Sequence, residues 1–239
     1  MREESFGGLK TRLTGGTDGK GGGNGPVVIL LHGFGAPGDD LVPLGEVLEV
    51  PSGTRFLFPE GPLTVSTGFL ESRAWWLIDT NRLEADRAAG RVRDLSNEVP
   101  PGLPQAREVI EQFVSQLPHF LPIESEKTVI GGFSQGAMLA CDLVMRTAYP
   151  CAGLVQLSGS LVARQDWRET VAKRSGLPVF QSHGIRDQIL PHIMAERLRD
   201  ELKLAGLSVE WHSFRGGHEI PEPIVEKLGR FLTHVFTHR

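Results

Sequence analysis

The pentapeptide Gly132-Phe133-Ser134-Gln135-Gly136 places one serine between two glycines, after an apolar run and before a helical pattern. This G-x-S-x-G spacing is typical of a nucleophile elbow, in which a sharp turn between a strand and a helix exposes the serine oxygen. The first amides of the following helix favour negative charge that develops beside that oxygen. The alternative is that Ser134 only caps the helix. The strand and the helix on either side favour the nucleophile.

A serine needs a base and an orienting acid, and in this arrangement the chain order is serine, acid, histidine. Asp187 in "QSHGIRDQILP" and His218 in "SFRGGHEIP" each follow a predicted strand in that order. Because ligands of open α/β sheets bind at the carboxyl ends of the strands, we predict Ser134, Asp187 and His218 as the catalytic residues. Less suitable candidates lie inside a helix or a strand, follow no strand, or break the order: Asp142, Asp166, His32, His183 and His212.

Two backbone N–H donors are expected to stabilise the oxyanion of an acyl-transfer reaction. One is predicted at Gln135, the residue after the nucleophile. The other is predicted at Phe34, in the loop "LHGFGAPGDD" that follows an early strand.

Four apolar residues are candidates for the wall of an acyl pocket. Trp75 and Trp76 are adjacent, and adjacent side chains of an extended segment face opposite ways. We therefore expect one tryptophan in the core and the other beside Ser134. Ile189 and Leu190, just after the predicted acid, are expected to add to the wall, the alternative being that they support the next helix.

Strand-like runs alternate with helical patterns along the chain, and these elements must position the candidate residues. Strands are predicted at 27–31, 54–59, 128–133, 153–159, 177–183 and 209–214. Helices are predicted at 41–47, 104–117, 135–146, 191–205 and 221–236. This alternation predicts an α/β fold with a mostly parallel sheet flanked by helices on both faces. With 239 residues, the chain is expected to form a single domain over 1–239.

Two segments do not fit the alternation. Residues 14–26, "TGGTDGKGGGNGP", are rich in glycine and predict a flexible hairpin or linker. Residues 62–103 contain the tryptophan pair and a charge-rich run. An excursion of this length predicts a lid or a binding loop, and surface padding is the alternative.

Composition limits the classes of function. Hydrophobic residues make up 40% of the chain and charged residues 23%, which is typical of a globular protein. The net charge is −4, so the composition does not indicate a basic surface that would bind nucleic acid. The two cysteines are too few for a disulfide framework or a metal cluster. No apolar run is long enough for a signal-peptide core or a membrane span. We expect a cytoplasmic protein with no cofactor, no metal and no membrane insertion, and a homodimer remains open.

Six motifs stand in order along the chain: "LHGFGAPGDD", "FPEGP", "RAWW", "GGFSQGAM", "HGIRDQILP" and "GGHEI". Together they make residues 26–236 resemble the phospholipase/carboxylesterase family of α/β-hydrolases, which includes the acyl-protein thioesterases. The resemblance implies the α/β-hydrolase fold and hydrolysis of small-molecule esters or thioesters with short to medium acyl chains, without a cofactor. It places the nucleophile, acid and base on Ser134, Asp187 and His218, and the oxyanion amides on Phe34 and Gln135.

The chain departs from the thioesterase branch of that family at two places. Its segment between the tryptophan motif and the next helix is longer than is usual there. It also reads Gly217-His218 where that branch usually has a Met-His pattern. Both departures favour a bacterial-type carboxylesterase, with an acyl thioesterase and a lysophospholipase as the alternatives within the family.

Hypotheses from other classes also remain. Gly33–Gly38 spells G-x-G-x-x-G after a strand, and Glu60 stands where a ribose-binding acid is expected, so the chain could bind a dinucleotide. Against this, Pro37 removes an amide from the turn that would face the pyrophosphate. A hydrolase fold used only for binding is a second alternative, although no triad member is missing. The segment "HEIPE" at 218–222 begins like the zinc-protease motif H-E-x-x-H but ends in glutamate.

Overall fold

The fold is built on one large sheet with helices on both sides. The computed structural model describes residues 1–66, 71–90, 94–147, 149–167 and 171–238. The strands are β1 (Arg2–Phe6), β2 (Leu9–Gly16), β3 (Lys20–Gly22), β4 (Val27–Leu31), β5 (Arg55–Pro59), β6 (Leu63–Ser66), β7 (Glu71–Ala74), β8 (Thr128–Phe133), β9 (Gly153–Leu157), β10 (Pro178–Gly184) and β11 (Ser208–Phe214). The α-helices are α1 (Leu44–Val47), α2 (Thr80–Ala88), α3 (Leu103–Phe120), α4 (Gln135–Arg146), α5 (His192–Leu204) and α6 (Glu222–Thr237).

The main sheet has the strand order β1-β2-β5-β4-β8-β9-β10-β11, and β3 pairs with β2. From β5 to β11 all neighbours are parallel. The strands β1 and β2 add an antiparallel edge, and β6 and β7 form a separate antiparallel pair. The predicted α/β fold with a mostly parallel sheet is therefore confirmed.

Alternate side chains of the central strands enter two hydrophobic cores, one on each face of the sheet. On β4, Val27, Ile29 and Leu31 pack with α3, α4 and α5, whereas Val28 and Leu30 pack with α1 and α6. All five are at most 1% exposed, and burial of such a side chain contributes about 1.5–3 kcal/mol. With both faces covered, the loops at the carboxyl ends of the strands are left to form a site.

Each predicted strand and helix is present, with ends within three residues of the prediction. The elements that the sequence did not reveal are β1, β2 and β3, the pair β6–β7, and α2. Their sequences show no clear apolar run or helical periodicity. For example, α2 reads "TNRLEADRA" and offers no apolar face.

The glycine-rich segment 14–26 is not a linker. Strand β2 continues to Gly16, and β3 pairs with it. Between them the Asp18 carboxylate accepts the N–H of Lys20 at 2.7 Å and of Gly22 at 2.9 Å, as in an Asx-turn.

Among the described residues, no helix is long and apolar enough to cross a membrane.

Candidate active site

Ser134 lies at the sharp turn between β8 and α4. Its φ of 54° and ψ of −115° are strained for a residue with a side chain. Strand β4 approaches so closely that a Cβ on Gly132 would lie 2.4 Å, and one on Gly136 2.0 Å, from the carbonyl oxygen of Leu31. Within the described chain the Ser134 side chain makes no capping hydrogen bond to α4. The capping alternative is therefore wrong.

His218 and Asp187 meet beyond the ends of two neighbouring strands. His218 follows β11 and Asp187 follows β10, and the His218 Nδ1 lies 2.6 Å from the Asp187 Oδ2. The imidazole of His218 packs against the Phe133 ring, with 4.7 Å between ring centroids. The chain thus brings the predicted acid and base into direct contact, next to the strand that leads to Ser134.

The Asp187 carboxylate is buried, and both of its oxygens have partners. Oδ1 accepts the backbone N–H of Ile189 and of Leu190, each at 2.9 Å. Burial raises the pKa of Asp187, but hydrogen bonds from His183 and His218, the charge of His218 and the Leu190 N–H together outweigh it. The net pKa lies well below that of an ordinary aspartate, so the group is an ionised acceptor at neutral pH.

A cavity of about 680 Å³ opens at this edge of the sheet. Ser134 and His218 line it together with Phe34 and Gln135, the predicted oxyanion residues. No described backbone carbonyl accepts a hydrogen bond from the N–H of Phe34 or Gln135, so both amides are available to a ligand. Most of the remaining wall is apolar: Trp76, Leu77, Ile78, Leu83, Leu95, Pro100, Pro101, Met138, Ile189, Leu190 and Pro191. A larger groove, of about 1320 Å³, lies against α6 and contains none of the predicted site residues.

The two adjacent tryptophans have different surroundings. Trp76, like Ile189 and Leu190, lines the cavity, whereas Trp75 does not. Trp75 is 2% exposed, and its indole N–H donates to the carbonyl of His32 at 3.0 Å. The prediction of Trp75 as a substrate-binding residue is corrected for this reason, and the pocket position belongs to Trp76.

Two buried polar side chains beside the cavity were not predicted to have a role. The His32 Nε2 accepts the N–H of Gly61 at 2.9 Å, and its Nδ1 lies 2.8 Å from the Gly33 carbonyl. Burial lowers the pKa of His32, which keeps it neutral. The Gln135 side chain accepts the Trp75 N–H at 2.9 Å and donates to the Trp76 carbonyl at 2.8 Å. The sequence could not predict the contacts of either side chain. It shows only that His32 and Gln135 are polar residues next to buried apolar runs.

His183 is a third residue that the sequence argument set aside, because it precedes the acid. It is fully buried at the end of β10, and its Nε2 lies 3.2 Å from the Asp187 Oδ2. The same nitrogen lies 2.8 Å from the carbonyl oxygen of Leu190. The only sequence signal was the spacing of four residues between His183 and Asp187.

The dinucleotide hypothesis is wrong. A pyrophosphate site needs a helix that begins directly at the glycine-rich turn. Here the next helix, α1, begins only at Leu44 and has four residues, while Gly33 and Phe34 line the cavity with Ser134. The described residues also contain no group of three or more His, Cys, Asp or Glu that could hold a metal ion.

A serine on a strand–turn–helix elbow, with a histidine and an ionised carboxylate at the ends of later parallel strands, defines an α/β-hydrolase. The family model described as Phospholipase/Carboxylesterase matches residues 20–236. The chain belongs to that family of hydrolases.

Relatives and solved structures agree with this membership. Acyl-protein thioesterase 1 of Candida albicans is 26% identical, over 87% of this chain and 91% of the relative. Acyl-protein thioesterase 1 of Eremothecium gossypii is 30% identical, over 70% of this chain and 68% of the relative. The crystal structure of esterase PE8 has a TM-score of 0.80 and 26% identity, and covers 95% of this chain and 99% of its own. The Bacillus cereus carboxylesterase, at 23% identity and a TM-score of 0.72 with 95% of each chain covered, shares the fold.

Proposed function

We propose that this protein is a carboxylesterase that hydrolyses small esters of short to medium acyl chains through an acyl-enzyme intermediate. The observation that carries the proposal is one cavity that contains Ser134, on its strained elbow, and His218, whose ring is held by Asp187. The fine choice of substrate rests on the shape and polarity of the cavity wall.

In the proposed reaction, the Ser134 Oγ attacks the ester carbonyl while the His218 Nε2 takes its proton. Asp187 accepts a hydrogen bond from the His218 Nδ1–H, which keeps Nε2 as the acceptor and stabilises the imidazolium that forms. The N–H groups of Phe34 and Gln135 stabilise the tetrahedral oxyanion. His218 then protonates the leaving alcohol, and water releases the acid by the same steps.

The cavity wall supports an acyl group as the recognised part of the substrate. A volume of about 680 Å³ is suited to a small molecule. Trp76, Met138 and Leu190 offer apolar surface beside Ser134, and each methylene buried there contributes up to about 0.8 kcal/mol.

A thioesterase is the second candidate, because the relatives from Candida albicans and Eremothecium gossypii are acyl-protein thioesterases. The test is a series of p-nitrophenyl esters from acetate to dodecanoate, assayed beside matched acyl thioesters and a lysophospholipid. We expect the highest kcat/KM on esters between butanoate and octanoate. A higher kcat/KM on every matched thioester would replace the proposal with the thioesterase.

A matched variant ties the measured activity to this site. Ser134→Ala should keep the wild-type melting temperature and lose activity by about 10⁴-fold or more. Wild-type activity in the folded Ser134→Ala protein would show that hydrolysis occurs elsewhere in the preparation.

A further inference from the structure

We propose that His183 is a positioning residue that holds the Asp187 carboxylate against the end of β10, so that His218 stays aligned with Ser134. The proposal rests on the proposed function, since it assigns a role within the same triad. His183 is not among the described residues that line the cavity, and it reaches the site through Asp187.

The other partners of the Asp187 carboxylate lie on loops, so they do not attach it to the sheet. Its Oδ1 is held by the N–H groups of Ile189 and Leu190, which belong to the same loop as Asp187. Its Oδ2 is contacted by His218, which lies on another loop with a side chain 13% exposed. Of the described groups in contact with this carboxylate, His183 is the one that lies on a strand of the sheet, where β10 pairs with β11.

The position of His183 also fixes which of its nitrogens carries the hydrogen. The Nε2 of His183 lies 2.8 Å from the Leu190 carbonyl oxygen, to which it donates its hydrogen, and 3.2 Å from the Asp187 Oδ2. Nδ1 is buried and has no hydrogen-bond partner among the described residues, whereas Nε2 has a carbonyl acceptor and the carboxylate beside it. The contacts of His183 with this loop are therefore made through Nε2.

The same N–H links the two ends of the loop 187–190. It contacts the acid at one end and the Leu190 carbonyl at the other, and Leu190 lines the cavity. Loss of His183 could therefore disturb either the acid or the acyl wall. The two effects separate by substrate, because an acetyl group barely reaches the wall whereas a hexanoyl group packs along it.

The experiment compares His183→Leu and His183→Gln with a control on the same strand. The amide Nε2 of glutamine can replace the Nε2 donor of histidine, and leucine cannot. The control is Gln181→Leu, since Gln181 lies two residues earlier on the same face, is 1% exposed, and donates to the Ala195 carbonyl at 2.8 Å. All proteins are assayed on p-nitrophenyl acetate and hexanoate, with melting temperatures measured in parallel.

We expect His183→Leu to lower kcat on both esters, by up to about a hundred-fold as for a misplacement of about 1 Å, with KM on acetate unchanged. His183→Gln should recover most of that loss, and Gln181→Leu should lower the melting temperature with kcat near wild type. If His183→Leu does not fold, His183→Asn takes its place, because its shorter amide does not reach Asp187.

Three results would overturn the proposal: wild-type kcat in folded His183→Leu, an equal loss of kcat in Gln181→Leu, or a loss confined to hexanoate. The downfield proton NMR resonance of the His218 Nδ1–H supplies a readout that needs no activity. It should shift in His183→Leu and return in His183→Gln. A wild-type protein without esterase activity would refute the proposed function, whereas an unshifted resonance would refute the role of His183.

Discussion

The edge of the sheet that carries Ser134, Asp187 and His218 differs in construction from the residues of 76–83 and 95–101 that line the cavity beside it. At the sheet edge, one hydrogen bond of 2.6 Å joins the acid and the base beyond the ends of two paired strands. In those two ranges the lining is mostly apolar, although Asp79, Arg82 and Glu98 also contribute to it, and Leu77 remains 64% exposed. Under the proposed function, the sheet edge would determine whether an ester is cleaved, and the lining residues of 76–83 and 95–101 would determine which acyl group is preferred.

The two regions are connected through Gln135. Gln135 lines the cavity and carries a predicted oxyanion N–H, and its side chain bonds to the backbone of both Trp75 and Trp76. In the proposed mechanism, Gln135 therefore serves the oxyanion through its main chain and holds the tryptophan pair through its side chain. Variants on each side of this connection should have separable effects.

The largest effect is expected at the sheet edge. Asp187→Asn should lower kcat by about 10³–10⁴-fold, because an amide neither fixes the tautomer of His218 nor stabilises its charge. The loss should be the same for acetate and hexanoate, measured by steady-state kinetics on folded protein. Asp166→Asn, at the exposed ion pair with Arg146, is the matched control and should keep wild-type kcat. A loss for Asp187→Asn that grows with chain length would contradict the division between the regions.

The tryptophan pair tests the other side of the comparison. Trp76→Ala should lower kcat/KM for hexanoate more than for acetate, by about ten-fold or more, since each lost methylene contact is worth up to about 0.8 kcal/mol. Trp75→Ala should instead cost about 3–5 kcal/mol of stability with little change in chain-length preference. Kinetics and urea unfolding of both variants separate the roles. Equal changes in preference would mean that Trp75 also reaches the substrate.

A smaller effect is expected at the connection. Gln135→Met keeps the backbone N–H but leaves the Trp75 N–H and the Trp76 carbonyl unpaired, at a cost of about 1–3 kcal/mol for a buried group. We expect lower stability and a weaker preference for hexanoate, with kcat on acetate changed least. A loss on acetate as large as that of Asp187→Asn would show that the side chain takes part in the chemistry.

The smallest effect concerns stability and pH. The pKa of Asp187 is depressed in the folded protein by its hydrogen bonds and by His218, so its ionisation stabilises the fold above the unfolded pKa of about 3.9. That contribution is lost as the pH falls below this value toward the folded pKa. The difference in unfolding free energy between wild type and Asp187→Asn should therefore be larger at about pH 7 than at about pH 3. A difference that grows on acidification would mean that the carboxylate is protonated in the folded state.

How far the sequence predicts the molecule depends on how local each signal is. The central strands are apolar runs, so β4 and β8 were predicted at their observed limits. Strand β1, "REESF", and helix α2 lack such runs and were missed. At the site, chain order and strand ends were enough to place Asp187 beside His218. His183 was missed because the sequence argument requires the histidine to follow the acid, and His183 precedes it. Its proposed role depends on a contact in space that chain order does not reveal.

The central claim is that Ser134 becomes acylated during turnover. The most direct measurement mixes the protein with excess p-nitrophenyl hexanoate, quenches it in acid within the first turnover, and locates the hexanoyl group by peptide mass mapping. The account predicts a burst of p-nitrophenol and one hexanoyl group on the peptide that contains Ser134, with neither in Ser134→Ala. A hexanoyl group on a different residue, with the burst intact in Ser134→Ala, would contradict it.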